Sequence, residues 1–300
     1  MLTLKSISSF LTLIFLIYPS FSQNNALHFD GVDDYVFATM NSIGQEDFTI
    51  ECWFNQDVLV DIDKGILSIV KTGLEGDLTV LNLAINNGQI IYFINPANNV
   101  ADFWYQTGEF IEPGICCHIA FVREGDGLKL YLNGQLIDNR ANVFSPQFEL
   151  GPFVSIGNLN TFSSDHFWNG QLDEIRIWQE SRSVNEIMST MNLPLIGNES
   201  GLKFYSDFNQ GIPSGNNSSF VFLNEKVTAS SFGSLFNFTL NGVTSNWVTS
   251  CVLMDEICVE DCCPFDTPHD FQNLALGPLT PEVTSQNPTW YAQSGNMDVV

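Results

Sequence analysis

Apolar and polar side chains alternate along FTIECWF, residues 48–54. Phe48, Ile50, Cys52 and Phe54 therefore share one face, and Thr49, Glu51 and Trp53 the other. The same period recurs along the chain. LTVLNLAIN and QIIYFIN flank Asn87-Gly88, the strongest short hairpin signal, and HIAFVRE and LKLYLNG are joined across Gly125-Asp126-Gly127. A second Asn-Gly pair, Asn133-Gly134, leads into QLID, and VSIGN, QLDEIRIW, GLKFYSDF and LFNFTLNG add further strands. Many short strands with closely spaced turns predict an all-β fold, a two-sheet antiparallel jelly-roll sandwich. One short helix interrupts them. SVNEIMSTMN opens on Ser183 with Glu186 three residues later, a capping box, and Pro194 follows as a stop.

The stretch GQLDEIRIWQE, residues 170–180, raises a question of phase. Strict alternation puts Leu172, Glu174, Arg176 and Trp178 on one face, and Asp173 with Ile175 and Ile177 on the other. A carboxylate in line with two isoleucines needs a partner, because an uncompensated buried charge costs several kcal/mol. That partner is a metal, a substrate proton or a backbone amide.

The N-terminus bears on where this chemistry takes place. MLTLKSISSFLTLIFLIYPSFSQ carries one early lysine, Lys5, an apolar run through Tyr18, and Ser20 and Ser22 at signal-peptidase spacing. Residues 1–22 are predicted to be a signal peptide cleaved before Gln23, and the mature protein to be secreted, extracellular or at the cell surface. The apolar run falls short of the roughly 20 residues that span a bilayer, and no later stretch is long or apolar enough. A formal net charge of −24 repels phosphates and argues against nucleic acid, while remaining compatible with divalent cations.

All seven cysteines follow the predicted cleavage point, and in an exported protein they read as disulfides rather than metal ligands. Lys226 is the last basic residue, and Cys251, Cys258, Cys262 and Cys263 crowd into the acidic stretch beyond it. Residues 23–250 are therefore expected to form the main domain, and 251–300 a Cys-rich acidic connector leading to a further module. The odd count leaves one thiol free or paired beyond residue 300. WYAQSGNMDVV reads as a strand just starting, so the sequence is expected to continue.

Taken in order, ALHFDGVDDYV, FTIECWF, HIAFVREGDGLKLYLNGQLID, SIGN and FWNGQLDEIRIWQESRSVNEI resemble the laminin-G/pentraxin-like jelly-roll domains of the concanavalin A-like lectin and glucanase superfamily. GLKFYSDFNQG and FNFTLNGVTSNWV resemble the segment that trails such domains in secreted bacterial proteins. The resemblance covers roughly residues 24 to 250. It departs at CCHIA, where such domains often read WHHIA, so a cysteine takes an aromatic core position. Two antiparallel sheets packed face to face are implied.

This superfamily holds both lectins and glycoside hydrolases, so the fold leaves function open. Related retaining glucanases carry Glu-x-Asp-x-(x)-Glu on one strand. Glu75 and Glu124 begin Glu-x-Asp runs here, but neither run has the second glutamate. His28, His118, His166 and His269 are scattered, and His118 reads as structural. The expected function is a non-catalytic binding or adhesion module for carbohydrate or glycoprotein. A protein–protein adhesion or spacer role is the alternative, and a glycoside hydrolase the more distant one. Trp104-Tyr105 and His166 with Trp168 are the aromatics near polar residues. Trp104 and Tyr105 point to opposite faces, and Trp168 reads as core.

Two site expectations complete the resemblance. Cys52 and Cys117 both fall on apolar strand faces, and pentraxin-like domains carry a disulfide in a similar region. A Cys52–Cys117 bridge is expected, with Cys116 as the rival partner and two buried thiols as the other outcome. In related jelly rolls a cation often ties the N-terminal segment to an aspartate that opens a late strand. A structural Ca²⁺ is thus expected between Asp173 and the Asp30-Gly31 turn, with Asp33 or Asp34 as further ligands.

Overall fold

The computed structural model describes residues 24–71, 79–95, 103–146, 148–159, 165–227 and 232–252. The expected signal peptide and all of the expected connector beyond Val252 lie outside the described residues. Two eight-stranded sheets face one another, and every strand pairing is antiparallel. Sheet one runs β10 (Gln135–Arg140), β9 (Gly127–Leu132), β8 (Cys117–Glu124), β3 (Phe48–Gln56), β12 (Asn169–Trp178), β1 (Asn25–Asp30), β16 (Asn246–Thr249). A further strand, β13 (Leu202–Ser206), also pairs with β12. Sheet two runs β14 (Phe222–Asn224), β15 (Phe232–Phe236), β2 (Tyr35–Thr39), β11 (Phe153–Ile156), β4 (Lys64–Val70), β5 (Thr79–Asn86), β6 (Gln89–Ile94), β7 (Phe103–Phe110).

The alternation read from FTIECWF is realised: Phe48, Ile50, Cys52 and Phe54 enter the core between the sheets, with Leu83, Tyr92 and Ile156 in the same cluster. Phe48 packs against Phe121, Phe144 and Phe148 at 5.9–6.1 Å between ring centres. Each fully buried ring of this kind contributes about 1.5–3 kcal/mol. Both Asn-Gly turns take positive φ at both residues, 45° and 79° at Asn87-Gly88 and 49° and 78° at Asn133-Gly134, as tight hairpins require. LFNFTLNG, expected as one strand, stops early. Asn237 adopts φ 66° just after β15 and turns the chain away. The helix α1 (Val184–Thr190) has its capping box, and Ile187 seats it on Ala120, Val122 and Tyr131 of sheet one.

Strand β12 departs from strict alternation. Asp173 pairs with Trp53 and Arg176 with Glu51, so one extra residue is inserted, and Glu174 takes φ 51° there. The bulge reverses the phase of everything before it. Leu172 joins the core with Ile175 and Ile177, and Asp173 turns to the outer face beside Glu174 and Arg176.

The expected Cys52–Cys117 bridge is also corrected. Cys52 pairs with Ile119 and Cys117 with Phe54, so the two cysteines are diagonal rather than opposite, and both are free, buried thiols. Diagonal neighbours lie about 7–8 Å apart, beyond ordinary disulfide reach. Cys116, the rival, bonds instead to Cys251, with 5.9 Å between their Cα atoms.

Candidate ligand-binding site

The outer face of sheet one carries most of the buried charge. Glu51 accepts a 2.7 Å hydrogen bond from Arg182, and its other oxygen lies 3.4 Å from His118 Nε2. Burial alone would raise the Glu51 carboxyl. The close approach of His118 and the charges of His118, Arg176 and Arg182 outweigh it and hold the group below its ordinary value. Arg182 also donates to Thr190 Oγ1 and the Glu186 carbonyl, and stacks 4.0 Å over Trp178. Trp53 Nε1 donates to the Met191 carbonyl. These contacts pin α1 and the turn behind it to the sheet. His118, buried and edge-on to Trp53, belongs to this scaffold.

Asp173 lies at the margin of the same face. One oxygen accepts the Glu174 N–H at 2.8 Å, and the other accepts the Ser250 hydroxyl at 2.5 Å. Burial, then the neighbouring Glu174 charge, pushes its carboxyl well above the ordinary aspartate range. The structure does not bring Asp173 to the Asp30-Gly31 turn, as the expected metal site requires. Asp30 pairs with Asn169, four residues from Asp173, a separation of roughly 13 Å along β12. One ion with bonds of about 2.3–2.6 Å cannot reach both.

The turn after β1 does gather carboxylates. Asp30, Asp33 and Asp34 each offer an oxygen within 4.8 Å of the others. Asp34 is fully buried, accepting the Asp30 N–H and the Ser245 hydroxyl. Its carboxyl is pushed up to about 7 by burial, against those two hydrogen bonds and with the Asp30 and Asp33 charges adding to the rise. The backbone carbonyls expected as ligands are engaged elsewhere. Asn169 donates to the Asp30 carbonyl, and the Lys64 ammonium to that of Gly31. The carboxylates fit a hard cation, and the Lys64 ammonium disfavours one at the Gly31 carbonyl.

The outer face of sheet two is organised by one cross-strand row. Phe37, Ser155, Ser68, Asn82, Phe93 and Trp104 stand in register across six neighbouring strands. The middle is polar and closed. The Ser68 hydroxyl lies 2.6 Å from Asn82 Oδ1 and 3.0 Å from the Asn158 carbonyl, and Ser155 donates to Asn158 Oδ1. Gly65 lets the Asn158 backbone cross there; a Cβ on Gly65 would meet it at 2.4 Å. Beyond this crossing Leu159 packs on Ala84 and Ile91.

The row opens at its Trp104 end. Trp104 stands on the edge strand β7, leans on Phe93 at 5.2 Å, and is 48% exposed. Beside it Asp61, Asp63, Asn86, Ile91, Tyr105 and Gln106 line a groove of about 420 Å³. That size lies in the 300–1,000 Å³ range of ligand pockets. Asn86 Nδ2 donates to Asp63 Oδ1 at 2.7 Å, and Gln106 donates to Gln89. The groove thus combines one open indole face with the exposed Asp61 carboxylate and with Asp63, Asn86 and Gln106 already oriented by neighbours.

Of the aromatics singled out in the sequence, Trp104 is exposed, and Tyr105 turns inward to stack on Tyr92 at 5.0 Å. Trp168 is buried against Phe54. His166 Nδ1 lies 2.8 Å from the Asp63 carbonyl, holding the loop that bears the two aspartates. Asp61 and Asp63 escaped the sequence reading. Their one local signal is DIDKG, a pair of carboxylates spaced two apart in a loop, and nothing in it indicates that the loop meets β7.

A sequence profile of the Laminin G 3 family, described as the concanavalin A-like lectin/glucanases superfamily, matches residues 30–188. Among curated proteins none matches in sequence. Among solved structures, a candidate carbohydrate binding protein from Bacteroides ovatus superposes with TM-score 0.55 at 18% identity, over 78% of this chain and 62% of that one. The chain thus spans less than two thirds of the length of that protein. A Ruminococcus gnavus sialidase CBM40 bound to α2,3 sialyllactose gives TM-score 0.44 at 14% identity, over 56% of this chain and 98% of that one. A heptameric SAP-like pentraxin from Limulus polyphemus gives 0.44 at 16%, over 55% and 81%. At these identities the likeness is one of fold. With the profile covering more than half of its residues and the two-sheet sandwich in place, the chain belongs to the laminin-G-type branch of the concanavalin A-like lectin/glucanase superfamily.

Proposed function

We propose that the domain is a non-catalytic carbohydrate-binding module, acting outside the cell, whose ligand lies in the Trp104 groove. The exposed Trp104 face carries this reading. Pyranose rings present an apolar C–H face that stacks on an indole, while their hydroxyls donate to and accept from a few fixed polar groups. Asp63, Asn86 and Gln106 are polar groups of that kind, held by their neighbours. The fold shared with a candidate carbohydrate binding protein adds weight without identifying the sugar. A Cys116–Cys251 disulfide and the absence of any membrane-crossing helix among the described residues are compatible with an extracellular site of action.

Calcium remains part of the proposal in a revised place. Asp30, Asp33 and Asp34 would hold the ion, and it would brace the turn that Asp34 ties to Ser245. A glycan array on the full chain tests the main reading. Binding to defined glycans supports it, whereas silence across the array favours the adhesion or spacer role.

A further inference from the structure

The charge in the groove narrows the ligand. Among the described residues that line it stand two carboxylates, Asp61 and Asp63, and no lysine or arginine. The cations on adjoining elements are committed to other partners. Lys64 directs its ammonium to the carbonyls of Asp165 and Gly31. Arg140 is held by Asp138 and the Tyr92 hydroxyl and lies over the Tyr105 ring. His166 is turned to the Asp63 backbone. Asn86 engages one Asp63 oxygen, and the exposed Asp61 carboxylate adds a second negative centre.

Resting on the carbohydrate reading above, we propose that the groove selects glycans bearing free amino groups, with Trp104 stacking on the pyranose and Asp61 and Asp63 receiving the ammonium. A sialic acid or uronate would bring a carboxylate toward two others, with no guanidinium or ammonium in the lining to receive it. An N-acetylated ring keeps the stacking face but loses the positive charge. Partly exposed ion pairs of this kind are weak, so two of them together make roughly a tenfold preference, about 1.4 kcal/mol. Salt must weaken that preference and leave the stacking contribution nearly untouched.

The experiment titrates the full chain with three probes at a pH where the amine is protonated: a β-1,4-linked glucosamine hexamer, its fully N-acetylated counterpart, and sialyllactose. The expected order is glucosamine hexamer about tenfold tighter than the acetylated hexamer, with sialyllactose weakest, and a gap that narrows as salt is raised. An Asp61→Asn/Asp63→Asn variant should lose the preference and bind the two hexamers alike, whatever affinity for the acetylated one Asp63 also supplies. Equal binding of both hexamers by the native chain overturns the inference and leaves the carbohydrate reading standing. The tightest binding to sialyllactose does the same. Amine binding that survives both Trp104→Ala and the double variant is general attraction to an acidic protein, and also overturns it. Failure of all three probes beside hits on a glycan array removes only the amine preference. Failure of the array as well removes the carbohydrate reading.

Discussion

Arg176 holds the Glu174 carboxylate at 2.6 Å, and neither side chain reaches solvent. The same guanidinium donates to the carbonyls of Thr190 and Leu193, and Tyr205 lends its hydroxyl to Glu174. One ion pair thus fastens the bulge in β12 to the end of α1. Removing one partner leaves the other charge buried and uncompensated, at a cost of about 3–5 kcal/mol. Arg176→Met is expected to lose about that much in denaturant unfolding, and Arg176→Met with Glu174→Gln to recover most of it. A single variant within 1 kcal/mol of the native protein would contradict this.

The bulge explains what could and could not be read from the sequence. Asn87-Gly88, Asn133-Gly134 and the Ser183/Glu186 box are encoded within a few residues, and each forms as expected. The bulge at Glu174 has no such signal, because the glutamate at φ 51° is held by Tyr205 of β13 and by Arg176, which the distant carbonyls of Thr190 and Leu193 fix in turn. Its one-residue insertion moved Asp173 to the outer face, while the pairing of Asp30 with Asn169 keeps Asp30 four residues away along β12. The cysteine pairing failed for a related reason. Faces follow from local alternation, but the register between β3 and β8 decides which residues stand opposite. Trp104 was visible as an aromatic on an alternating strand. Its partners Asp61 and Asp63 come from a loop whose approach to β7 only the fold determines.

Asp173 gives a pH prediction. Its folded carboxyl titrates well above the ordinary value near 3.8. Its contribution to stability is therefore complete below about pH 4 and is lost as pH rises through the raised folded value. Asp173→Asn keeps an acceptor for the Glu174 N–H and presents an amide to the Ser250 hydroxyl. Relative to the native protein, the variant should gain stability steadily from about pH 4 toward neutrality. Denaturant unfolding across that range checks it, and a constant difference would mean that Asp173 is already ionised in the fold.

The Cys116–Cys251 bridge closes a sequence separation of 135 residues. A loop of that length gives a stabilisation of up to about 5 kcal/mol in the chain-entropy model. Peptide mapping without reduction should recover Cys116 linked to Cys251, with Cys52 and Cys117 alkylated only after unfolding. Cys116→Ser should lower the melting temperature. A mapped Cys52–Cys117 peptide would reverse the assignment.

The calcium proposal predicts a melting temperature that rises by mass action as the ion saturates the turn. Millimolar calcium should raise the melting temperature of the full chain above its value in excess chelator. Asp33→Asn, altering the exposed member of the three, should remove most of that rise. Equal melting temperatures in both buffers would leave the three aspartates as a hydrogen-bonded turn.

Trp104 offers the most direct test of carbohydrate binding. Its ring is half exposed on the edge strand β7 and leans on Phe93, so truncation should leave most of the fold's stability in place. A stacked tryptophan at the centre of a site commonly carries about 2 kcal/mol of binding, roughly a thirtyfold change in affinity. The measurement is calorimetric titration of the native full chain and of Trp104→Ala with the tightest glycan found on the array, alongside a thermal melt of each. Binding lost by roughly thirtyfold in a variant that still melts as a folded domain is the predicted result; a folded variant that binds the glycan as tightly as the native chain would contradict it.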